Sequence, residues 1–205
     1  MYALVTDGTI TKYFSYPKGF TLGDNQYPAD LFMKWSVEEK EAIGIYEVVF
    51  DDSNKKDEKW YINTNQSFAF ADNTVTASYG TATAKAHADT TWSQDDEDAG
   101  DLPDDKSVGD VKVEGLKTTL IRTLKQQVAG ILANTDWYIT RNAEKSTAIP
   151  SAISTHRDAV RTKQASMETA ITNASDTPAL ETLYTYTTTD DIQSRPLGEL
   201  PTLEI

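Results

Sequence analysis

The sequence contains no cysteine and only two histidines. The first absence removes disulfides, thiolate nucleophiles and cysteine-held zinc or iron–sulfur centres together. The second leaves little for a metal helix. His87 sits in "TAKAHADTT" with no second ligand type near it, and His156 has Val160, not a ligand, four residues on. Cations are also scarce. Nineteen Lys and Arg stand against thirty-two Asp and Glu, a formal charge of −13, which repels phosphate and argues against nucleic acid and anionic lipid as partners. No apolar run approaches the ~20 residues of a membrane span, and "MYALVTDGTI" has neither a basic nor an apolar leader region. A soluble protein without membrane insertion is expected.

Catalytic patterns are missing as well. No serine lies in a nucleophile-elbow context, and "VAGILANTDW" lacks the Gly-Lys-Ser/Thr ending of a phosphate loop. Asp96 and Asp98 could open a calcium loop, but its closing acidic position falls on Ser107. Acidic pairs such as Glu38–Glu39 and Asp51–Asp52 are ordinary for a surface of this charge. The expectation is a non-enzyme with no catalytic residue, cofactor or metal.

What is present divides along the chain. Residues 1–87 read as a β-rich module. Asp7–Gly8 in "YALVTDGTITKYF" is the residue pair preferred by a type I′ hairpin turn. Ser36 with Glu39 forms a capping box for a short helix ended by Gly44, and Ile45 to Phe50 has the content of a strand. Phe68 and Phe70 alternating with Ser67 and Ala69 predict one buried face, with turns near Asn63–Asn65 and Asp72–Asn73. Hydrophobic residues make up 39% of the chain, so the core should be thin or divided.

Residues 88–115, "ADTTWSQDDEDAGDLPDDKSVGDVKVEG", read as an acidic linker in which like charges and the breakers Gly100 and Pro103 oppose a helix. Residues 116–187 read as a helical hairpin. Leu116, Leu120, Leu124, Val128, Ile131 and Leu132 form one stripe. Ile153, Arg157, Val160, Gln164, Met167 and Ile171 form a second, begun by Pro150 at the first helical position. A third short helix is predicted at "TPALETLYTY". Between the main helices, "NTDWYITRNAEKST" holds N-cap residue types, and Trp137 with Tyr138 is expected to plug the open end of the hairpin as a structural corner. Residues 188–205 read as an extended tail. Leu197, Leu200, Leu203 and Ile205 are its candidate partner-docking side chains, the alternative being a strand that closes its own domain. The fold class is α+β.

Two stretches resemble tail proteins of tailed bacteriophages. "YALVTDGTITKYFSYP", followed by "YPADLF", is similar to the opening of that class. "LANTDWYITRNAEKSTAIPSAISTHRDAVR" is similar to its C-terminal signature, through Thr135, Asp136, Trp137, Arg141, Ile149, Pro150, Arg157 and Arg161. The resemblance covers about sixteen residues at the start and fifty or more at the end. It implies a virion component of the tail, baseplate or fibre-attachment region, made in the host bacterial cytoplasm and docking on other tail, baseplate or fibre proteins or on copies of itself. A tail-fibre assembly chaperone is the alternative within the same class.

Overall fold

The computed structural model describes residues 1–203, and the chain divides into two compact units, 1–83 and 84–205. It is an α+β protein, with a β-rich first unit and a largely helical second one.

In the first unit, β1 (Tyr2–Thr6) and β2 (Thr9–Phe14) form the expected hairpin, with Asp7 and Gly8 at φ 50° and 74°. Positive φ at both central residues gives the turn the twist its strands require. A second small hairpin, β3 (Phe20–Leu22) and β4 (Asn25–Tyr27), leads to α1 (Leu31–Lys34) and α2 (Val37–Glu41). The capping box forms as read: the Glu39 N–H donates to the Ser36 hydroxyl, and the Ser36 N–H donates to the Glu39 carboxylate. Gly44 closes the helix at φ 80°. A Cβ there would lie 2.3 Å from the Val5 carbonyl oxygen, so only glycine fits.

β5 (Ile45–Asp51) follows, then the two-residue strand β6 (Tyr61–Ile62). β7 (Gln66–Ala71) and β8 (Thr74–Tyr79) pair through a second type I′ turn, with Asp72 and Asn73 at φ 48° and 55°. The sheet order is β2-β1-β5-β8-β7, antiparallel except for the β5–β8 pair. Period-2 alternation gives the sheet two cores. Leu4, Phe14 and Ile45 pack with Phe20, Leu31 and Phe32. Ala3, Val5, Val48, Val75 and Ala77 face the other way, against Phe68 and Phe70. The sheet curls around this second core until the edge strands meet, with the Tyr13 and Phe68 rings 4.7 Å apart. The divided core expected from composition is thus two faces of one sheet.

The first unit ends at Thr83, within β9 (Thr83–Ala84), and not at residue 87. Residues 86–89 belong to the start of α4 (Leu116–Ala133). The Leu116 and Lys117 N–H groups donate to the carbonyls of Ala86 and His87 at 2.9 and 3.0 Å. Asp89 accepts from the Gly115 N–H at 2.7 Å and from the Thr118 hydroxyl at 2.8 Å, so the helix is capped from 26 residues upstream. These donors, the Gly115 N–H first, hold the Asp89 carboxyl below its ordinary pKa.

The acidic stretch is folded, against the linker expectation. β10 (Thr90–Thr91) pairs with β11 (Val111–Val113), and α3 (Gln94–Asp98) lies between them. Local chemistry outweighs the charge repulsion: Ser93 and Asp96 form a capping box, and the Lys112 ammonium pairs with Asp96 while lying 4.3 Å from the centre of the Trp92 ring.

α4 and α6 (Ser151–Asn173) pack antiparallel. Lys117 near the start of α4 reaches the Thr172 carbonyl, while Arg157 near the start of α6 reaches the Leu132 carbonyl. Leu124, Val128, Val160, Met167 and Ile171 are buried as the stripes predict, and Leu120 is half-buried. α7 (Thr177–Tyr184) is capped by Asp176, whose carboxylate accepts the Ala179 N–H, and carries Pro178 in its first turn.

Candidate docking corner

The corner between α4 and α6 is built by α5 (Asp136–Lys145), none of whose residues is buried. Trp137 does not plug it. Its indole is 51% exposed, and Tyr138 is half-buried. The helix phase explains this: a start at Asp136 turns position 137 outward, where a residue at 135 points in. The buried corner is Thr135 and Arg157, at 3% and 7% exposure. Arg157 Nη1 donates to the Leu132 carbonyl at 2.8 Å, to Thr135 Oγ1 at 2.6 Å and to Asp136 Oδ1 at 2.8 Å. The guanidinium adds to the Thr135 N–H and hydroxyl, which also donate to the Leu132 carbonyl, and ties the end of α4 to α6.

Outside this plug, the Trp137 and Tyr138 rings lie with centres 3.8 Å apart and planes tilted by 33°, and the Arg141 guanidinium lies 4.7 Å and 5.4 Å from their centroids. Among the described residues Arg141 Nε is buried without a hydrogen-bond partner. Ile139 is exposed beside them at 41%. Trp, Tyr and Arg are the residue types that carry most energy at protein interfaces, because they bring large rigid area with a polar tip. Pro150 is the N-cap of α6 and not its first helical residue, which is Ser151, and it is exposed.

The expected extended tail is partly folded. β12 (Thr187–Thr189) and β13 (Ile192–Ser194) form a hairpin over Asp190 and Asp191, at φ 50° and 63°. Two adjacent aspartates take the left-handed turn without glycine, which the sequence reading missed; Asp tolerates that region better than most residues. Arg195 fastens the hairpin base, pairing with Glu199 at 2.7 Å and lying 5.2 Å from the Tyr186 ring centre. The Tyr186 hydroxyl donates to Glu199 at 2.6 Å, which raises its pKa.

Among the candidate docking leucines, Leu197 is 3% exposed within its own unit. Its N–H donates to the Leu183 carbonyl and its carbonyl accepts from Lys163 Nζ. Two backbone bonds and α7 beside it explain why this residue closes its own domain. Leu200 and Leu203 are half-buried and lie along the corner, where they border a cavity of about 270 Å³ with Ile131 and His156. Ile205 lies outside the described residues.

Among the described residues no group of three His, Cys, Asp or Glu side chains is placed to hold a metal ion, and no helix is long and apolar enough to cross a membrane. Comparison with protein-family models, with curated proteins and with solved structures finds no match.

Proposed function

We propose that the chain is a non-enzymatic component of a bacteriophage virion, in the tail, baseplate or fibre-attachment region, and that it works by docking on other tail proteins. The observation that carries this reading is the corner. Thr135, Asp136, Trp137, Arg141 and Arg157, which carry the resemblance to tail proteins, gather at one end of the helical hairpin. Thr135 and Arg157 hold the corner together with Asp136, and Trp137 is exposed with the half-buried Arg141 over its ring. Such a division suits a rigid mount that presents an aromatic–cationic contact to a neighbour.

Quantitative mass spectrometry of purified virions tests the proposal. Presence at a fixed ratio to the other tail proteins is the expected result. Presence in the infected-cell lysate with absence from the particle overturns it in favour of a tail-fibre assembly chaperone.

A further inference from the structure

Among the described residues Arg141 is the one arginine without an acid. The other four are ion-paired, Arg122 with Glu114, Arg157 with Asp136, Arg161 with Asp158 and Arg195 with Glu199. Arg141 stands unpaired in a chain that carries thirty-two acidic residues. Its own helix offers Glu144 one turn on, at a spacing that allows a helical ion pair. The side chain runs the other way. Long side chains on a helix lean toward its N-terminus, and Arg141 lies over Trp137 and Tyr138, four and three residues back. Of the guanidinium nitrogens only Nε is both buried and unpartnered; the two Nη groups reach solvent. The rings therefore hold the cation in place with its Nη end open. A cation held on a ring has already given up part of its hydration and of its freedom, so a partner has less of either to remove.

We propose that the partner docked at this corner brings an aspartate or glutamate to Arg141, whose two Nη groups take the carboxylate end-on, while an apolar neighbour of that acid lies on the Trp137 ring. The inference rests on the docking reading and names the chemistry of the partner. A carboxylate fits the open end because it accepts two parallel N–H bonds and carries the opposite charge. A single acid fits better than a run of them. The net charge of −13 repels a densely acidic segment, while one pair in contact lies well inside the screening length of ~8 Å. The 51% exposure of Trp137 leaves ring surface for the apolar neighbour.

The test is an NMR titration of the full chain with acetyl-Leu-Asp-Leu-amide and acetyl-Leu-Asn-Leu-amide, read at the Trp137 indole N–H and the Arg141 Nε–H. The aspartate peptide should shift both signals, and the asparagine peptide should bind at least about three-fold more weakly. Added salt should narrow that gap. Arg141→Gln should abolish the preference, read at the Trp137 signal, in a chain that melts as the parent does. An arginine that only covers its rings predicts equal binding of the two peptides, or no shift from either, and both outcomes overturn the proposal. So does a preference that survives Arg141→Gln. In virions carrying Arg141→Lys, a zero-length carbodiimide should join position 141 to an Asp or Glu of a different protein. A join only to Glu144 or to a second copy of the chain, or none while its other lysines are joined, also overturns it. Absence of the chain from virions removes the virion reading alone, and the peptide preference then decides this site.

Discussion

Arg157 and Thr135 lie 22 positions apart and meet at 2.6 Å, guanidinium nitrogen to hydroxyl, where α4 ends and α5 begins. The bond fixes the angle between the two long helices, because the same nitrogen also holds the last turn of α4. Arg157→Ala should destabilise the second unit by about 3 kcal/mol, since it empties a buried position and removes the charge-assisted bonds to Leu132, Thr135 and Asp136. Arg157→Lys should recover part of the loss, since all three bonds start from one nitrogen and an ammonium also offers three donors from one atom. Chemical denaturation of the three proteins checks both statements.

Trp137→Ala should cost less than about 1 kcal/mol, as expected for a half-exposed side chain outside the core. Ile171→Ala, at 0% exposure, should cost about 2–5 kcal/mol. Parallel melting curves decide. A large loss at Trp137 would put the indole back in the corner.

Gly44→Ala should destabilise the first unit by at least about 1–3 kcal/mol. The added methyl meets the Val5 carbonyl, and φ 80° is a conformation alanine resists. The Val5 N–H to Gly44 carbonyl bond, 2.8 Å, should open with it. Hydrogen exchange at the Val5 amide reports this directly.

Acid should loosen the lobe between β10 and β11. The Lys112 side chain, with the Ser93 N–H and hydroxyl, lowers the Asp96 pKa to about 2, against about 3.9 in an unfolded chain. A depressed carboxylate contributes stability that is fully present above the unfolded value. That contribution is lost as pH falls through the folded one, so the window is about pH 4 to 2. The side-chain carboxyl resonance of Asp96 should titrate near the lower figure, and Lys112→Met should move its midpoint up.

Short-range chemistry was legible in the sequence, and spatial convergence was not. The Asp7–Gly8 turn, the Ser36–Glu39 box and the two helical stripes each depend on neighbours within a few residues, and each stands as read. The corner failed because choosing between Trp137 and Arg157 needs the helix phase at Thr135 and a contact across 22 positions. Asp89 failed for a like reason, since nothing near it announces a cap for a helix 26 residues on. The linker reading weighed the net charge of residues 95–106 and overlooked single pairings, Ser93 with Asp96 and Asp96 with Lys112, that organise them.

The lobe, part of the second unit, is closed at its base by backbone bonds. The Trp92 N–H donates to the Asp110 carbonyl at 2.9 Å, and the Gly109 N–H donates back to the Trp92 carbonyl at 2.8 Å. Asp89 and Gly115, which start α4, lie outside that closure. The segment from Ser93 to Ser107 should therefore tolerate replacement on that stem, at the cost of the Asp96–Lys112 pair. A reporter peptide or a shorter turn can replace it, because changing the length of a loop whose ends are already joined costs only a logarithmic entropy term. The molecule thus carries a natural splice point, where sequence can be added or removed while the helical pair beneath keeps its cap.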